Sequence, residues 1–314
     1  MHFYIFHTKI RPLISEKNFK KILPIIMIIL ISSPVFLRYA DKYAFSQISY
    51  LVALLVLFWM GILVYLVFFS LLWDIFKWVV QKNFNYQFSK NKEFFFLFFL
   101  SLVFSIYSYL ETKNLEVIHI KFKSCKLPKG INKIKILQIS DLHLGPLMGM
   151  DKIRLVKEVW EKEKPDLVVS TGDLVDGNMG KKDEFAEKLK ELKAPLGKYA
   201  ILGNHEYYRG WKQAIDFTQK AGFKLLRNEF IDVGDILYIV GMDDKTCKYF
   251  NACDSDFDEA RVLRKIPKDK FILLLKHQPE IKKEAIGLFD IMLSGHTHGG
   301  LYKLLGAFIM KKNI

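Results

Sequence analysis

Cysteine is scarce in this sequence: among its 314 residues only Cys125, Cys247 and Cys253 carry a thiol. Three cysteines are too few for a fold built on several disulfides or for a metal site made of thiolates. We expect all three to be unpaired, although Cys247 and Cys253 could pair if this part of the chain faces an oxidising compartment. Any metal chemistry in the chain must therefore use oxygen and nitrogen ligands.

Arginine-rich stripes and interleaved aromatic platforms are also lacking, despite a formal net charge of +14. Much of the excess basic charge flanks long apolar runs near the N-terminus, and the rest alternates with acidic residues, as in Lys181–Lys190. This pattern argues against a nucleic-acid partner. It favours attraction to the anionic headgroups of a bilayer instead.

Charge is missing altogether from three runs in the first 110 residues, 22–37, 48–73 and 94–110. Because a helix needs about 20 apolar residues to cross the hydrocarbon core, we predict about three transmembrane helices in an anchor of residues 1–113. A buried core helix is the alternative for each run. A signal peptide is a further alternative for 22–37, but Arg38 and Tyr39 stand where its small-residue cleavage site would be.

Lysine and arginine residues beside these runs predict an orientation. Five precede the first run, two lie between the first and second, and four lie between the second and third. The positive-inside rule then places the N-terminus and the second loop in the cytoplasm, and three spans place the remaining chain outside. If the first run does not span, the parity changes. With three spans, we predict a multi-pass protein of the cell (inner) membrane with an extracytoplasmic catalytic region.

Residues 114–314 have a different pattern, in which short apolar runs alternate with helical periods. Strands alternating with helices predict a layered α/β domain. The predicted helices are 151–164, 182–192 and 211–221. The predicted strands are 117–122, 134–139, 167–170, 199–202, 236–240, 271–275 and 291–293. Polar clusters follow five of these strands, which is where ligands gather in open α/β sheets.

These clusters contain side chains suited to binding metal ions. Asp141 and His143 are two residues apart, so an extended backbone would direct both to one side, and His296 and His298 repeat the spacing. The carboxylate of Asp173 can bridge two ions. The full set of predicted ligands is Asp141, His143, Asp173, Asn204, His277, His296 and His298. Since oxygen and nitrogen ligands without thiolate suit Mn, Fe or Zn, we predict two divalent ions.

Two such ions would activate water, orient a phosphoryl group and neutralise the charge that builds on its oxygens. His205 is the predicted catalytic imidazole, because it could protonate a leaving oxygen or stabilise the equatorial oxygens. Four further acids are expected either to support the ligands or to face solvent. They are Asp176, Glu206, Asp243 and Asp244.

The chain resembles the calcineurin-like metallophosphoesterase family, in its membrane-anchored bacterial type, over about residues 117–300. The motifs that carry the resemblance are Asp141-Leu142-His143, Gly172-Asp173, Gly203-Asn204-His205-Glu206, His277 and Gly295-His296-Thr297-His298. It implies a four-layer α/β sandwich of two mixed sheets flanked by helices, preceded here by transmembrane helices. It further implies one ion on Asp141, His143 and His298 and another on Asn204, His277 and His296, with Asp173 bridging both and His205 as the catalytic imidazole.

The resemblance implies cleavage of a phosphate ester or pyrophosphate by a hydroxide that bridges the two ions. Phosphate-containing small molecules and lipid-linked phosphates are the expected substrates, and monoester, diester and pyrophosphate remain open. One candidate substrate is a nucleotide-linked glycolipid pyrophosphate, and its cleavage would require the catalytic region to face the cytoplasm.

Members of the family usually continue well beyond the His-Thr-His motif, often with Gln where this sequence has Leu301. Because the sequence stops at Ile314, we expect the C-terminal strands to be missing. The alternative function is a catalytically inactive membrane scaffold or binding remnant that keeps the metal site. A transporter is disfavoured, since the apolar runs hold no charged residue for an ion pathway.

Overall fold

A computed structural model of the chain describes residues 1–14, 17–43, 46–84, 86–111, 117–145, 149–176, 182–253 and 258–298. The chain forms two compact units, Met1–Glu116 and Val117–Ile314. Each unit has its own core, and each is described below by itself.

The first unit consists of helices. A short segment, α1 (His2–Ile5) with its π-helical and 3-10 continuation to Leu13, precedes α2 (Lys17–Tyr43), α3 (Ser46–Phe84) and α4 (Lys90–Glu111). By length and composition, Tyr50–Phe84 and Lys90–Glu111 could each cross a membrane. They belong to α3 and α4, which contain the predicted runs 48–73 and 94–110. The apolar part of α2, Lys21–Leu37, is shorter. A third span therefore stays a prediction.

A network of charged side chains joins the N-terminal segment to α3 and α4. The Nζ atom of Lys9 lies 2.5 Å from Oδ1 of Asp74 and 2.7 Å from Oε1 of Glu93. Lys77 donates to the other oxygen of Glu93 at 2.9 Å. Lys9 and Glu93 are buried, so each depends on these partners to offset its desolvation. The network lies just outside the uncharged runs, at the end of α3 that faces the start of α4.

The second unit contains two sheets. In the first, β1 (Ile136–Ile139), β2 (Leu167–Ser170), β3 (Lys198–Ala200) and β4 (Lys224–Leu225) follow one another in space and are all parallel. In the second, β5 (Glu229–Val233) is antiparallel to β6 (Leu237–Gly241), whereas β7 (Phe271–Leu275) and β8 (Ile291–Leu293) continue in parallel. Among the described strands, only those of the second sheet are mixed as predicted. The first is parallel because a helix crosses over between each pair of its strands.

Helices cover the outer faces of both sheets and give the four predicted layers. They are α5 (Gly149–Glu163), α6 (Lys182–Lys190), α7 (Asn204–Lys220) and α8 (Glu259–Leu263). Val168 of β2 faces α5, α6 and α7, while its neighbour Val169 packs between the sheets against Ile239 and Leu273. The outer face of the second sheet packs on α8. Central strands are buried on both faces, which explains their continuous apolar sequences.

The structure differs from the predicted strands in three places. Residues 117–122 form no strand: within the described residues their backbone has no ladder partner, and Ile118 and Ile120 are exposed. The strands β4 and β5 were not predicted, because β4 has two residues and β5 carries two acidic residues among its apolar ones. The prediction of missing C-terminal strands concerns residues 299–314, which lie outside the described residues.

Candidate metal centre

The loops that follow β1, β2, β3, β7 and β8 converge on one place. Each of the seven predicted ligands lies in one of these loops or in the residue that begins α7, and His205 lies in the first turn of α7. Parallel strands end at the same edge of their sheet, and the two sheets bring their edges together here. The structure therefore places all eight predicted side chains in one cluster. Their role as metal ligands stays a prediction.

Asp141, His143 and His298 form one half of the cluster. The Nε2 atoms of His143 and His298 lie 3.2 Å apart, with nearly parallel rings. Nε2 of His298 lies 3.6 Å from Oδ1 of Asp141. The carboxylate of Asp141 also accepts the backbone N–H of His296 at 2.9 Å. Two ring nitrogens and a carboxylate oxygen thus come close enough to share one cation.

Asn204, His277 and His296 form the other half. Oδ1 of Asn204 lies 2.9 Å from Nε2 of His277 and 3.0 Å from Nδ1 of His296. Nδ1 of the buried His277 lies 2.8 Å from the carbonyl oxygen of Thr171. Because a carbonyl oxygen only accepts, this nitrogen carries the proton and Nε2 faces the cluster. Metal-binding histidines are commonly oriented in this way.

Asp173 lies between the two halves. Its Oδ2 atom is 3.2 Å from Nε2 of His277 and 3.7 Å from Nε2 of His143, and its Oδ1 atom accepts the backbone N–H of His205 at 2.9 Å. Burial tends to raise the pKa of Asp173, but the hydrogen bond and the charge of His277 outweigh it and hold the pKa at about 2. Asp173 is therefore a carboxylate at neutral pH, in contact with both halves.

Five of the predicted ligands have a left-handed backbone. Positive φ angles occur at Asp141 (52°), His143 (43°), Asp173 (52°), His296 (70°) and His298 (49°). For residues other than glycine this conformation costs roughly 1 kcal/mol or more, and such strain concentrates at functional sites. The extended backbone predicted from the Asp-x-His spacing is therefore wrong. The side chains converge through strained loops instead.

Two glycines let these loops approach each other. A Cβ atom at Gly172 would lie 2.7 Å from Nδ1 of His277, and one at Gly295 would lie 2.5 Å from Oδ2 of Asp141. Both distances are too short for a real contact, so any side chain would push the loops apart. The glycines are required by the packing of the cluster.

The donor set fits divalent cations. In the described part of the chain, the ion-pair partners of Asp141 and Asp173 are imidazoles, not lysine or arginine. Burial lowers the pKa of His143 to about 4, so its ring is neutral and can donate a lone pair. Burial by itself would lower the pKa of His277, but the hydrogen bond and charge of Asp173 outweigh it and raise the pKa to about 9. The surroundings of His277 therefore attract positive charge. Oxygen and nitrogen donors of this kind suit Mn, Fe or Zn.

His205 is held beside the cluster by Asp176. Nδ1 of His205 lies 3.3 Å from Oδ1 of Asp176, and the His205 ring centroid is 4.6 Å from that of His143. The hydrogen bond to Asp176 outweighs burial and raises the pKa of His205, and the charge of Asp173 adds to this. Arg209 donates its Nε–H to the same oxygen of Asp176 at 3.0 Å. Asp176 therefore supports the candidate catalytic imidazole.

Glu206 holds two of the loops together. Its buried carboxylate accepts the backbone N–H groups of Gly203, Asp173, Leu174 and Val175 at 2.6–3.2 Å. These donors belong to the loops after β2 and β3, so one side chain fixes their separation. Burial raises the pKa of Glu206 to about 7, and the charge of Asp173 contributes.

Asp243 and Asp244 also support the structure, and neither faces solvent. Asp243 pairs with Arg227 at 2.9 Å and accepts the hydroxyl of Tyr207 at 2.9 Å. Asp244 begins the 3-10 helix Lys245–Phe250 and accepts the backbone N–H of Thr246.

Cys247 and Cys253 form a disulfide, with their Cα atoms 5.7 Å apart. The prediction of unpaired thiols is therefore wrong for these two, and Cys125 remains free and exposed. The 3-10 helix ends at Phe250, and the next residue, Asn251, has a left-handed backbone (φ 48°) that turns the chain back toward Cys247. This turn explains how cysteines six residues apart can meet.

Sequence reasoning missed Tyr208 and Arg209, because it began the helix at Trp211. In the structure α7 begins at Asn204 and is kinked at Gly210 (φ 127°), which interrupts the helical period. The i, i+3 and i, i+4 spacing from His205 is the signal that could have identified both residues.

Comparison with known proteins identifies the family to which the chain is similar. A model of the calcineurin-like phosphoesterase family matches residues 134–300. An uncharacterized metallophosphoesterase of Aquifex aeolicus is 47% identical over 213 residues, covering 68% of this chain and 81% of the relative. An uncharacterized metallophosphoesterase of Campylobacter jejuni is 30% identical over 306 residues, covering 95% and 79%.

A zebrafish (Danio rerio) protein described as a transmembrane protein with a metallophosphoesterase domain is 31% identical over 210 residues. The match covers 62% of this chain and 47% of the zebrafish protein, so the chain spans about half of that relative. The family match covers more than half of this chain and includes all eight residues of the cluster. This chain belongs to the calcineurin-like phosphoesterase family and is a metal-dependent hydrolase of phosphoester bonds.

Proposed function

We propose that this protein is a membrane-anchored phosphohydrolase that binds two divalent metal ions and cleaves a phosphate ester or phosphoanhydride. The observation that carries the proposal is the position of Asp173, whose Oδ2 atom lies against ring nitrogens of both halves of the cluster. A carboxylate in that position can bind two ions at once. The oxygen and nitrogen donors on either side supply the remaining ligands.

Each half of the cluster would hold one ion. Asp141, His143 and His298 are the proposed ligands of the first, and Asn204, His277 and His296 those of the second. When bound, a pair of divalent ions lowers the pKa of water, orients the phosphoryl group and neutralises charge on its oxygens. The left-handed loops and the carboxylate of Glu206 hold the ligands in place before any ion binds.

His205 is the proposed proton donor to the leaving oxygen. Asp176 binds Nδ1 of the ring, which leaves Nε2 as the nitrogen that can reach the substrate. The raised pKa of His205 favours the protonated ring, as a general acid requires. Asp176 thus acts through His205, by orienting the ring and stabilising its charge.

The N-terminal unit is the proposed membrane anchor, and its charged network supports an orientation. Because Lys9 contacts Asp74 and Glu93, the N-terminal segment lies at the same end of the helices as the connection between α3 and α4. That connection is rich in lysine, which favours the cytoplasmic face. Crossing by α4 would then place residues from Val117 onward on the other face of the membrane.

The disulfide supports the same orientation independently. Structural disulfides persist in oxidising compartments and are rare in the cytosol, so the Cys247–Cys253 bridge favours an extracytoplasmic catalytic unit. On that face, phosphates of lipids or lipid-linked molecules are the substrate class that we favour. In the sequence, five residues, 112–116, lie between the end of α4 and Val117, and this short spacing favours substrates at the bilayer surface.

Hydrolysis by the metal-depleted and metal-reloaded full-length protein tests the proposal. We expect activity on p-nitrophenyl phosphate, bis-p-nitrophenyl phosphate or both only after addition of Mn²⁺, Fe²⁺ or Zn²⁺. Asp173→Asn should abolish it, whereas Asp183→Asn, on the exposed face of α6, should not. Turnover that does not require metal would contradict the mechanism. No turnover with any metal would favour a scaffold that keeps the ligands without activity.

A further inference from the structure

Two exposed aromatic side chains, Tyr208 and Phe250, lie together at one side of the candidate site. Tyr208 is 50% exposed and Phe250 40%. The rings of Tyr208 and Phe250 meet edge to face with centroids 6.0 Å apart, although they belong to α7 and to the 3-10 helix after β6. A shared apolar surface built from two separate elements differs from the single exposed apolar residues that are normal on proteins.

This aromatic shelf, defined as Tyr208 and Phe250, begins beside the proposed proton donor. The ring centroid of Tyr208 lies 6.0 Å from that of His205, because the two residues are three apart in the first turns of α7. Residues at this spacing lie on the same face of a helix. A group attached to an oxygen that His205 protonates would therefore lie within reach of the Tyr208 ring.

The shelf is held in position by buried contacts. The Cys247–Cys253 disulfide closes the segment that carries Phe250. Cys247 packs against Leu202, in the loop after β3, and against Tyr207 of α7. Arg227 donates to the carbonyl oxygen of Ala252 at 2.6 Å and pairs with Asp243.

Asp243 in turn accepts the hydroxyl of Tyr207, the residue before Tyr208. Both elements of the shelf are thus tied to the same buried residues. A surface fixed in this way loses little entropy when a ligand binds to it.

We propose that the aromatic shelf is the leaving-group subsite and that the enzyme prefers substrates whose phosphate is esterified to an apolar group. The inference rests on the proposed function, since His205 defines where the leaving oxygen lies. Apolar area on the ligand would be buried against Tyr208 and Phe250, while the phosphoryl group lies over the metal cluster. The same apolar chemistry could come from a lipid chain or from an aromatic alcohol.

Binding of two apolar phosphonates, relative to methylphosphonate, tests the shelf without turnover. Calorimetric titration of the Mn²⁺-loaded, detergent-solubilised protein should give dissociation constants about fivefold or more lower for 2-naphthylmethylphosphonate and for hexylphosphonate than for methylphosphonate. A larger gain for the hexyl group would indicate a lipid chain as the natural source, and a larger gain for the naphthyl group an aromatic alcohol.

Tyr208→Ala and Phe250→Ala should each reduce this preference to about twofold or less. Tyr208→Phe should keep it, because the ring and not the hydroxyl supplies the surface. Phe122→Ala is the matched control: Phe122 is also exposed, but it contacts Phe271 at the start of β7, the end opposite His277. The control should keep the full preference.

Turnover of phenyl and 2-naphthyl esters provides a second readout. The ratio of kcat/KM for the naphthyl over the phenyl ester should exceed one and should fall in Tyr208→Ala and Phe250→Ala. Equal binding of the three phosphonates, or a preference unchanged by both alanine variants, would overturn the subsite. Loss of metal-dependent turnover with an intact binding preference would overturn the proposed function and leave the shelf standing.

Discussion

Nδ1 of His205 lies 3.3 Å from Oδ1 of Asp176, and this contact joins a residue in the first turn of α7 to the loop after β2. The pair gives the proposed general acid both its orientation and its charge. An imidazole held in this way matters most when the leaving oxygen is a poor leaving group, because a stable anion departs without a proton. The choice of substrate therefore separates this role from a purely structural one.

We predict that His205→Ala lowers kcat/KM far more for a phenyl ester than for the corresponding p-nitrophenyl ester, since phenol is the much weaker acid. The loss on the phenyl ester should be about 10²-fold or more. Asp176→Asn should act in the same direction with a smaller loss. Steady-state kinetics on the two esters checks this, with Asp183→Asn as the control. An equal loss on both esters would argue against proton donation by His205.

Glu206 supports the second prediction. At pH 8 its carboxylate accepts four backbone N–H groups, and in Glu206→Gln an amide group would face some of those donors. We expect the free energy of unfolding to fall by about 1–3 kcal/mol, because buried donors lose their partner. Thermal or denaturant unfolding of the solubilised protein measures the change. Glu161→Gln, on the exposed face of α5, should change stability by less than about 0.5 kcal/mol.

Lys198 supplies a prediction about pH. Its Nζ atom is buried, donates to the carbonyl oxygens of Leu189 and Ala221, and lies over the ring of Phe223. Burial lowers the pKa of Lys198 from 10.5 to about 8. Between those values the unfolded chain binds more protons than the folded chain, so the contribution of Lys198 to the free energy of unfolding rises with pH.

Comparison of the wild type with Lys198→Met isolates that contribution. The variant should be less stable at every pH, because two buried carbonyl oxygens lose their donor. The difference in free energy of unfolding between wild type and variant should grow from pH 8 to pH 10.5, by at most about 3 kcal/mol. Parallel stability profiles for the two proteins would show that Lys198 has an ordinary pKa.

The strand ends that carry the site were predictable from the sequence. The strands β2, β7 and β8 have the predicted bounds, because polar clusters on both sides of a short apolar run define where the strand begins and ends. All eight predicted site residues meet because parallel strands deliver their carboxyl ends to one edge. The backbone conformation of Asp141 and His143 was not predictable, since it depends on loops from other strands that pack against them.

Loop turns and local breaks in the sequence pattern account for most of what the sequence did not reveal. The pairing of Asp176 with His205 and of Cys247 with Cys253 depends on how the loops turn. The start of α7 at Asn204 was hidden by Gly210, whose positive φ breaks the helical period. Likewise, β5 was missed because Glu229 and Asp232 lie on a strand that is only partly buried.

Thiol labelling tests the proposed orientation. In spheroplasts, a membrane-impermeant maleimide should modify Cys125, which is free and exposed, if the catalytic unit faces outward. Cys247 and Cys253 should react only after denaturation and reduction, because they are bonded to each other. Mass spectrometry of the peptides distinguishes the three positions. Labelling of Cys125 only after cell lysis would place the catalytic unit in the cytoplasm.

The number of metal ions bound per chain tests the central claim most directly. Elemental analysis of the purified, desalted protein should find two divalent ions in the wild type. One should remain after His298→Ala, which removes a ligand from the first half, or after His277→Ala, which removes one from the second. Asp173→Asn should weaken both sites. A wild type that binds one ion or none at saturating metal, or variants that all keep two, would contradict the account.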